Sequence, residues 1–314
     1  MTLQQRQLVH QILRDAPFDL GGDVHVQRPL LERMLTAHPL PDDIRVSPGE
    51  LGGVPVLVVD IEGVEPRGTL FHLHGGGFAL GSARGAAGLA ADLARRTGMR
   101  AVLVEYRLAP EHPHPAALHD VTAAYRALLD RTRLPVVVSG ESAGGNLALE
   151  LLVGGKAQGL AMPAAIVVLS PMTDLTVGGA SFTGKADVDP NLTASAIRTR
   201  VDDYLGGTGT LATDPLVSPV FADLRGLPPL LVQAGSHEVL LDDATALATK
   251  AAADDVPVVL DITPGVPHVF QAFAALLDEG DAALGRVARF VDDNLAARAD
   301  SAEHGSATPA AVAA

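Results

Sequence analysis

One short stretch, Pro135 to Leu149, restricts the possible folds of this chain more than any other. The valines at 136–138 are typical of a buried strand, and the apolar spacing after Asn146 is typical of a helix. Between them lies Gly-Glu-Ser-Ala-Gly, with the serine at position 142. A strand that turns this sharply into a helix leaves no room for Cβ atoms beside the turn, so both ends need glycine. The pattern predicts that Ser142 lies on a strained turn at a sheet edge, next to a helix N-terminus.

The rest of the chain alternates apolar strands with amphipathic helices. Further strands are predicted at 54–59, 69–73, 101–105, 165–169, 230–233 and 258–262. Helices are predicted at 3–15, 28–37, 84–97, 116–131, 193–205 and 241–253, with a last one through 284–295. Because Gly, Ala and Ser are common here, the five-residue match around Ser142 could be a coincidence, but the alternation supplies the context that the match requires. It predicts an α/β fold with a mostly parallel sheet and helices on both faces.

Composition excludes several classes of protein. With 314 residues, 47% of them hydrophobic, the chain can bury a sizeable core. A formal net charge of −14 argues against nucleic acid or an anionic membrane as a partner. The absence of cysteine excludes disulfides, thiolate metal sites and a cysteine nucleophile. The N-terminal segment from Met1 is polar and has no apolar signal-peptide core, and no apolar run in the sequence is long enough for a membrane span. A soluble, cytoplasmic protein is therefore predicted.

A serine hydroxyl becomes a nucleophile when a neighbouring base takes its proton. Three histidines follow Ser142 in the chain: His237, His268 and His304. His268 lies in the loop after the last predicted strand, where parallel sheets place functional groups. His304 falls in the C-terminal tail, and His237 is interpreted as a loop residue. His268 is therefore the predicted base, and the alternative is a histidine that only solvates a turn.

The base in turn needs a carboxylate to orient it. Glu238 lies on the loop at the carboxyl end of the predicted strand 230–233. Asp242 and Asp243 lie at the start of the next helix, where carboxylates are common simply as caps. Glu238 is the favoured acid, and Asp242 stays open as the alternative.

A glycine run follows the strand 69–73, in the sequence His74-Gly75-Gly76-Gly77. Glycines allow the backbone to approach a reacting group closely, and backbone N–H groups can stabilise a developing negative oxygen. The N–H of Ala143, directly after the serine, is expected to complete such a site. A glycine triplet by itself is often only a flexible turn.

Between about Leu70 and Phe290 the chain contains four motifs, each of them once and in a fixed order. They are His74-Gly-Gly-Gly-Phe78, Tyr106-Arg-Leu-Ala-Pro-Glu-His-Pro113 with Pro115-Ala-Ala-Leu118 and Asp120, Gly140-Glu-Ser-Ala-Gly-Gly-Asn146, and Pro267-His-Val-Phe270. With these motifs the chain resembles the bacterial branch of the hormone-sensitive lipase family of α/β-hydrolases. In that resemblance Ser142 matches the nucleophile and His268 the base.

The resemblance also implies roles for further residues. Gly76, Gly77 and Ala143 match the oxyanion donors of the family. Where many members have Asp-Pro-Leu-x-Asp, this chain has Glu238-Val-Leu-Leu-Asp242, so that Glu238 stands at the acid position and Asp242 remains the alternative. His74 is expected to hold the glycine loop, and Tyr106, Arg107 and Glu111 to be structural.

An α/β-hydrolase fold with a helical cap is the architecture that the resemblance implies. Residues 1–45 are expected to form N-terminal cap helices, and residues 46–298 the catalytic domain. The Gly/Thr/Asp-rich segment 174–218 is expected to be a cap insertion within that domain. The tail 299–314 is expected to be disordered.

The function expected from the residues and the resemblance is that of a serine carboxylesterase, acting on short-acyl esters or lactones through an acyl-serine intermediate. No cofactor and no metal ion is expected. An amidase or peptidase with the same triad is one alternative, and a non-catalytic ligand-binding protein on the same fold is another. The partner expected is a small-molecule substrate, with neither nucleic acid nor membrane, and a homodimer is left open.

Overall fold

A computed structural model describes the backbone of residues 3–305 and the side chains of residues 3–298. The strands are β1 Ile44–Leu51, β2 Val54–Ile61, β3 Thr69–Leu73, β4 Arg100–Val104, β5 Val136–Glu141, β6 Ala165–Leu169, β7 Leu230–Gly235 and β8 Val258–Thr263. The helices are α1 Leu3–Arg14, α2 Val24–Leu35, α3 Ala87–Thr97, α4 Ala116–Arg131, α5 Ala143–Ala157, α6 Ser181–Gly184, α7 Ala194–Leu205, α8 Leu241–Ala253 and α9 Asp278–Gly305.

All of these strands join one sheet, in the order β1-β2-β4-β3-β5-β6-β7-β8. The pairs from β4 to β8 are parallel, whereas β2 runs antiparallel to both β1 and β4. Strand β5, which leads into Ser142, lies near the middle of the parallel part. The predicted mostly parallel α/β architecture is therefore confirmed.

The central strands are buried on both faces, because alternate residues point to two separate halves of the core. Phe71 and Val138 contribute to the half that is covered by α4, α5 and α8. Leu70 and Val137 contribute to the other half, which is covered by α3 and α9. This burial explains why these strands appear in the sequence as unbroken apolar runs.

Strand β1 was not predicted from the sequence. It forms an antiparallel pair with β2 at one edge of the sheet, and within it only Ile44 and Leu51 are buried. It also contains Pro48, which cannot donate to a neighbouring strand. An edge strand that is mostly exposed and contains a proline lacks the apolar alternation that identifies a strand.

Two helix boundaries also differ from the prediction. Helix α2 begins at Val24 instead of residue 28, because Asp23 Oδ1 accepts hydrogen bonds from the N–H groups of His25 (3.0 Å) and Val26 (3.2 Å) and so caps the helix. Helix α9 continues to Gly305, past residue 299, where the tail was predicted to begin. The remainder of that predicted tail, 306–314, lies outside the described residues.

The N-terminal helices and the 174–218 segment lie close to the carboxyl edge of the sheet. Helix α1 packs Val9 and Leu13 against Val266 and Phe270, which flank His268 in the chain. The 174–218 segment contains α6 and α7. Within residues 3–305, no helix combines the length and the apolar character that a bilayer span requires. The division into cap and catalytic domain remains a prediction.

Candidate active site

Ser142 lies between β5 and α5 with a backbone conformation (φ 55°, ψ −121°) that residues other than glycine rarely adopt. A Cβ atom at Gly140 would lie 2.3 Å from the carbonyl oxygen of Gly144. A Cβ atom at Gly144 would lie 2.0 Å from the carbonyl oxygen of Leu73. Both distances are far below van der Waals contact, so these two glycines are required for the turn. The strained turn that the sequence predicts is present.

His268 and Glu238 are brought together from the loops after β8 and β7. His268 Nδ1 lies 2.6 Å from Glu238 Oε2. The Glu238 side chain is completely buried, whereas His268 keeps 12% of its side chain exposed. Glu238 Oε1 accepts hydrogen bonds from the Gly235 N–H (2.7 Å) and the Ser170 hydroxyl (3.1 Å). These bonds fix the carboxylate, and through it the imidazole ring.

Asp242, the alternative acid, is used elsewhere. Its Oδ2 accepts a hydrogen bond from the Ser181 N–H (2.9 Å), and its own N–H donates to Ser181 Oγ (3.1 Å). Asp242 therefore fastens α6 to the start of α8. The structure brings Glu238, and not Asp242, to His268.

Ser170 and Asp189 support the site although the sequence did not indicate them. Buried Ser170 adopts a φ of 47°, and its Oγ accepts a hydrogen bond from the N–H of Val269 (3.0 Å) as well as donating to Glu238. Asp189 Oδ2 accepts from the N–H of Val239 (2.8 Å), the residue after Glu238. Burial raises the pKa of Asp189, and nearby His268 is among the groups that lower it. Only the folded chain brings these two residues next to the acid and the histidine.

The glycine run after β3 lies directly beside Ser142. A Cβ atom at Gly75 would lie 3.1 Å from Ser142 Cβ. Gly76 and Gly77 both have positive φ angles, 115° and 62°. Among the described residues, no hydrogen-bond acceptor is paired with the backbone N–H of Gly76, Gly77 or Ala143. Three backbone donors are thus unpaired around the serine.

His74 holds the start of this glycine run. Its ring stacks on Tyr106 with centroids 4.1 Å apart, and the Tyr106 hydroxyl donates to the His74 carbonyl oxygen (2.7 Å). His74 Nδ1 lies 2.8 Å from the carbonyl oxygen of Gly75. Burial lowers the pKa of His74 to about 4, so the ring is neutral near pH 7. His74 therefore supports the glycine run.

Glu141, next to Ser142, also holds the glycine run, a contact that the sequence did not indicate. Its Oε1 accepts a hydrogen bond from the Gly75 N–H (2.8 Å). Its Oε2 lies 2.8 Å from Nε2 of His72, whose Nδ1 lies 2.8 Å from Ser139 Oγ. The x position of the Gly-x-Ser-x-Gly motif therefore links the nucleophile turn to the glycine loop.

Ion pairs hold the loop after β4, which contains part of the motif at residues 106–120. Arg107 binds Asp120 through its backbone N–H (2.9 Å) and its guanidinium (Nη2 to Oδ1, 2.8 Å). Arg28 from α2 binds Glu111 (Nη2 to Oε2, 2.6 Å) and lowers the pKa of Glu111 to about 2. These ion pairs tie the loop after β4 to α4 and to the N-terminal segment.

A family model described as alpha/beta hydrolase fold matches residues 70–272. The chain is 38% identical over 277 residues to an esterase of Acinetobacter venetianus, covering 87% of this chain and 90% of the relative. It is also similar to the solved structure of an esterase from the bacterial hormone-sensitive lipase family. The TM-score there is 0.89 at 38% identity, covering 94% of this chain and 99% of that one. The chain belongs to the bacterial hormone-sensitive lipase family.

Other relatives have matching activities in their names. An acetyl-hydrolase of Streptomyces hygroscopicus is 36% identical over 290 residues, which cover 90% of this chain and 95% of the relative. The bacterial hormone-sensitive lipase family and its α/β-hydrolase fold, both implied by the sequence motifs, are thereby confirmed. The chain is a carboxylic ester hydrolase.

Proposed function

We propose that this esterase works through an acyl-serine intermediate, with Ser142 as nucleophile, His268 as general base and acid, and Glu238 as the group that orients His268. The observation that carries the proposal is the 2.6 Å contact between His268 Nδ1 and Glu238 Oε2. When Nδ1–H donates a hydrogen bond to the carboxylate, the neutral ring carries its one N–H hydrogen on Nδ1. Nε2 is then unprotonated and can accept the proton of Ser142.

In the first half of the reaction, Ser142 Oγ attacks the ester carbonyl carbon while its proton passes to His268 Nε2. The carbonyl π electrons move onto the oxygen, which becomes negative. When the carbonyl re-forms, the bond to the alcohol oxygen breaks and the alcohol leaves with the proton from His268. The acyl group stays on the serine.

In the second half, water attacks the acyl carbon and gives a proton to His268. The serine oxygen then leaves with that proton, and the carboxylic acid is released. Both tetrahedral intermediates place a negative charge on the former carbonyl oxygen. The N–H groups of Gly76, Gly77 and Ala143 are the proposed donors to that oxygen, because they are unpaired and the glycine run lies against Ser142.

The proposed substrates are esters with short acyl chains, of about two to eight carbons, or lactones. Each buried methylene adds about 0.8 kcal/mol until a pocket is full, and further overpacking costs about 1–3 kcal/mol. Helix α1 packs against the loop that carries His268, and α7 packs against the glycine loop after β3. Such close packing favours a small pocket. Two relatives agree with small substrates: one is named an acetyl-hydrolase, and the crystal of another was soaked with p-nitrophenyl butyrate.

Turnover of p-nitrophenyl butyrate by Ser142→Ala tests the mechanism. We expect hydrolysis to fall to near background and a fluorophosphonate probe to stop labelling the protein, because both require the serine oxygen. Exposed Ser47 on β1 offers the control Ser47→Ala, which should keep both. Retention of a tenth of the wild-type rate by Ser142→Ala would contradict the mechanism. Faster cleavage of matched p-nitroanilides than of esters would favour the amidase alternative.

A homodimer is the assembly that we propose. Strand β8 ends the sheet, and its residues Val259 and Leu260 are 48% and 41% exposed. An apolar edge strand of this kind is a surface suited to pairing with a second copy. Light scattering should then give twice the chain mass of 32.4 kDa, and a single-chain mass would contradict the proposal.

A further inference from the structure

One face of α7 lies directly against the glycine loop beside Ser142. Arg200 and Tyr204 are one helical turn apart on this face, and both are buried. A Cβ atom at Gly77 would lie 2.6 Å from Arg200 Cγ. The ring of Tyr204 stacks on Phe78, with centroids 3.9 Å apart and planes inclined by 6°. Two successive residues of the loop are thus held by two residues of one helix.

The loop needs such support, because its backbone is strained. Phe78 has a φ of 62°, which is unfavourable for a bulky side chain. A strained residue of this kind persists only where its surroundings fix it. Phe78 is completely buried, and the Tyr204 hydroxyl donates to buried Glu150 (Oε2, 3.1 Å) in α5, the helix that follows Ser142. Tyr204 therefore links the glycine loop to that helix.

The guanidinium group of Arg200 is buried, and only part of its hydrogen-bonding capacity is used. Its side chain is 97% buried. Nη2 donates to the Gly22 carbonyl oxygen (3.1 Å) and lies 3.0 Å from Asp203 Oδ2. Its Nε and Nη1 are buried and have no hydrogen-bond partner among the residues that the structure describes. A buried donor without a partner destabilises the fold, and an apolar side chain of the same length avoids that cost.

The position of this charge supplies a reason for retaining it. Asp203 is the one carboxylate in ion-pair contact with Arg200 among residues 3–298, and it keeps 22% of its side chain exposed, so solvent screens it more than the arginine. The stem of Arg200 touches Gly77, whose N–H is a proposed oxyanion donor. Positive charge fixed near a developing oxyanion stabilises the transition state more than the substrate, because the negative charge is present only in the transition state.

We propose that Arg200 is a positioning residue for the oxyanion hole: its stem fixes Gly77, and its incompletely neutralised charge favours negative charge on the substrate oxygen. The proposal rests on the acyl-serine mechanism described above. It assigns α7, within the segment 174–218, to the catalytic apparatus in addition to any part in covering the substrate.

The test compares Arg200→Met, which keeps the stem and removes the charge, with wild type on p-nitrophenyl butyrate. We expect kcat to fall roughly 10- to 100-fold, less than the 10²–10³-fold typical for loss of a direct oxyanion donor, and KM to change by less than about twofold. The melting temperature should be unchanged or higher. Arg200→Lys should recover part of the lost kcat. The matched control is Arg198→Met, at an exposed arginine on the same helix, which should behave as wild type.

Inhibition by butylboronic acid separates this role from a structural one. Its adduct with Ser142 is tetrahedral and negatively charged, so its inhibition constant should rise in Arg200→Met by a factor similar to the loss of kcat. Wild-type kcat and boronate affinity in Arg200→Met would overturn the proposal. So would equal losses in Arg200→Met and Arg200→Lys together with a lower melting temperature, since one variant retains the charge.

Two further variants complete the test. If Arg200→Met does not fold, Asp203→Asn decides, because it removes the counter-charge and keeps the arginine; kcat should equal or exceed wild type, and a fall would overturn the proposal. Ser142→Ala reports on the mechanism itself. If Ser142→Ala is active, the acyl-serine mechanism fails; if it is inactive and Arg200→Met is normal, only the role of Arg200 fails.

Discussion

Glu238 accepts hydrogen bonds from the Gly235 N–H and the Ser170 hydroxyl while it contacts His268. A glutamine at this position has one oxygen and one NH2 group, so it cannot accept all three bonds. Loss of the carboxylate also favours the wrong histidine tautomer, an effect that costs about 10⁴-fold in a serine protease. We therefore expect Glu238→Gln to lower kcat by about 10³–10⁴-fold in steady-state assays of p-nitrophenyl butyrate.

The matched control for that substitution is Asp242→Asn. Asp242 bonds to Ser181 and not to His268, so its replacement should leave kcat within about threefold of wild type and lower only the stability. A larger loss of kcat in Asp242→Asn than in Glu238→Gln would move the acid role to Asp242.

His74 gives a prediction about stability and pH. Its pKa is 6.5 in the unfolded reference and about 4 in the fold, because the buried ring resists protonation. The unfolded chain therefore binds the proton first, and the free energy of unfolding falls as the pH is lowered from 6.5 towards 4. Urea unfolding at several pH values should show a weaker pH dependence over this range in His74→Gln than in wild type. Parallel curves would contradict the assignment.

The junction of β5 with α5 leaves no room for added atoms. Gly144→Ala would place a methyl group 2.0 Å from the backbone oxygen of Leu73, which cannot move without shifting β3. We expect no folded, active enzyme, as judged by circular dichroism and ester turnover. Gly88 in α3 is the control, because a Cβ atom there meets nothing within 4 Å. Gly88→Ala should be stabilising by about 0.5–1 kcal/mol, from helix propensity alone.

Helix α1 lies against the loop that carries His268. Val9 and Leu13 cover Val266 and Phe270, on either side of His268. Deletion of residues 1–14 should lower kcat/KM for the butyrate ester and weaken the preference for short over long acyl chains, since it uncovers the loop that carries the base. A p-nitrophenyl ester series from two to sixteen carbons measures both effects. An unchanged profile would mean that α1 does not set the pocket.

The features of the fold that could be predicted from the sequence are those that local patterns determine. The buried strands β3 to β7 appeared as apolar runs because both of their faces are covered, and the turn at Ser142 was visible because its glycines are obligatory. The pairing of His268 with Glu238 was predicted from the ends of two strands. The choice between Glu238 and Asp242 depended on tertiary contacts that no spacing shows.

The residues that the sequence did not indicate share one property: each acts across a long separation in the chain. Ser170 bonds to Glu238, 68 residues away, and to Val269, 99 residues away. Arg200 touches Gly77 from a segment that was expected to act only as a cap. Strand β1 was missed for a different reason, because its mostly exposed residues and Pro48 remove the alternating pattern.

The contact of α1 with the far end of the chain has a consequence for synthesis. Translation runs from the N-terminus to the C-terminus, so the apolar side of this helix leaves the ribosome long before its partners Val266, Phe270 and Ala283 are made. The helix has only 12 residues, too few to be stable alone in water. Helix α1 therefore stays without these native contacts until the segment that contains Val266 and Phe270 has emerged, and it can cover the loop that holds His268 only after that.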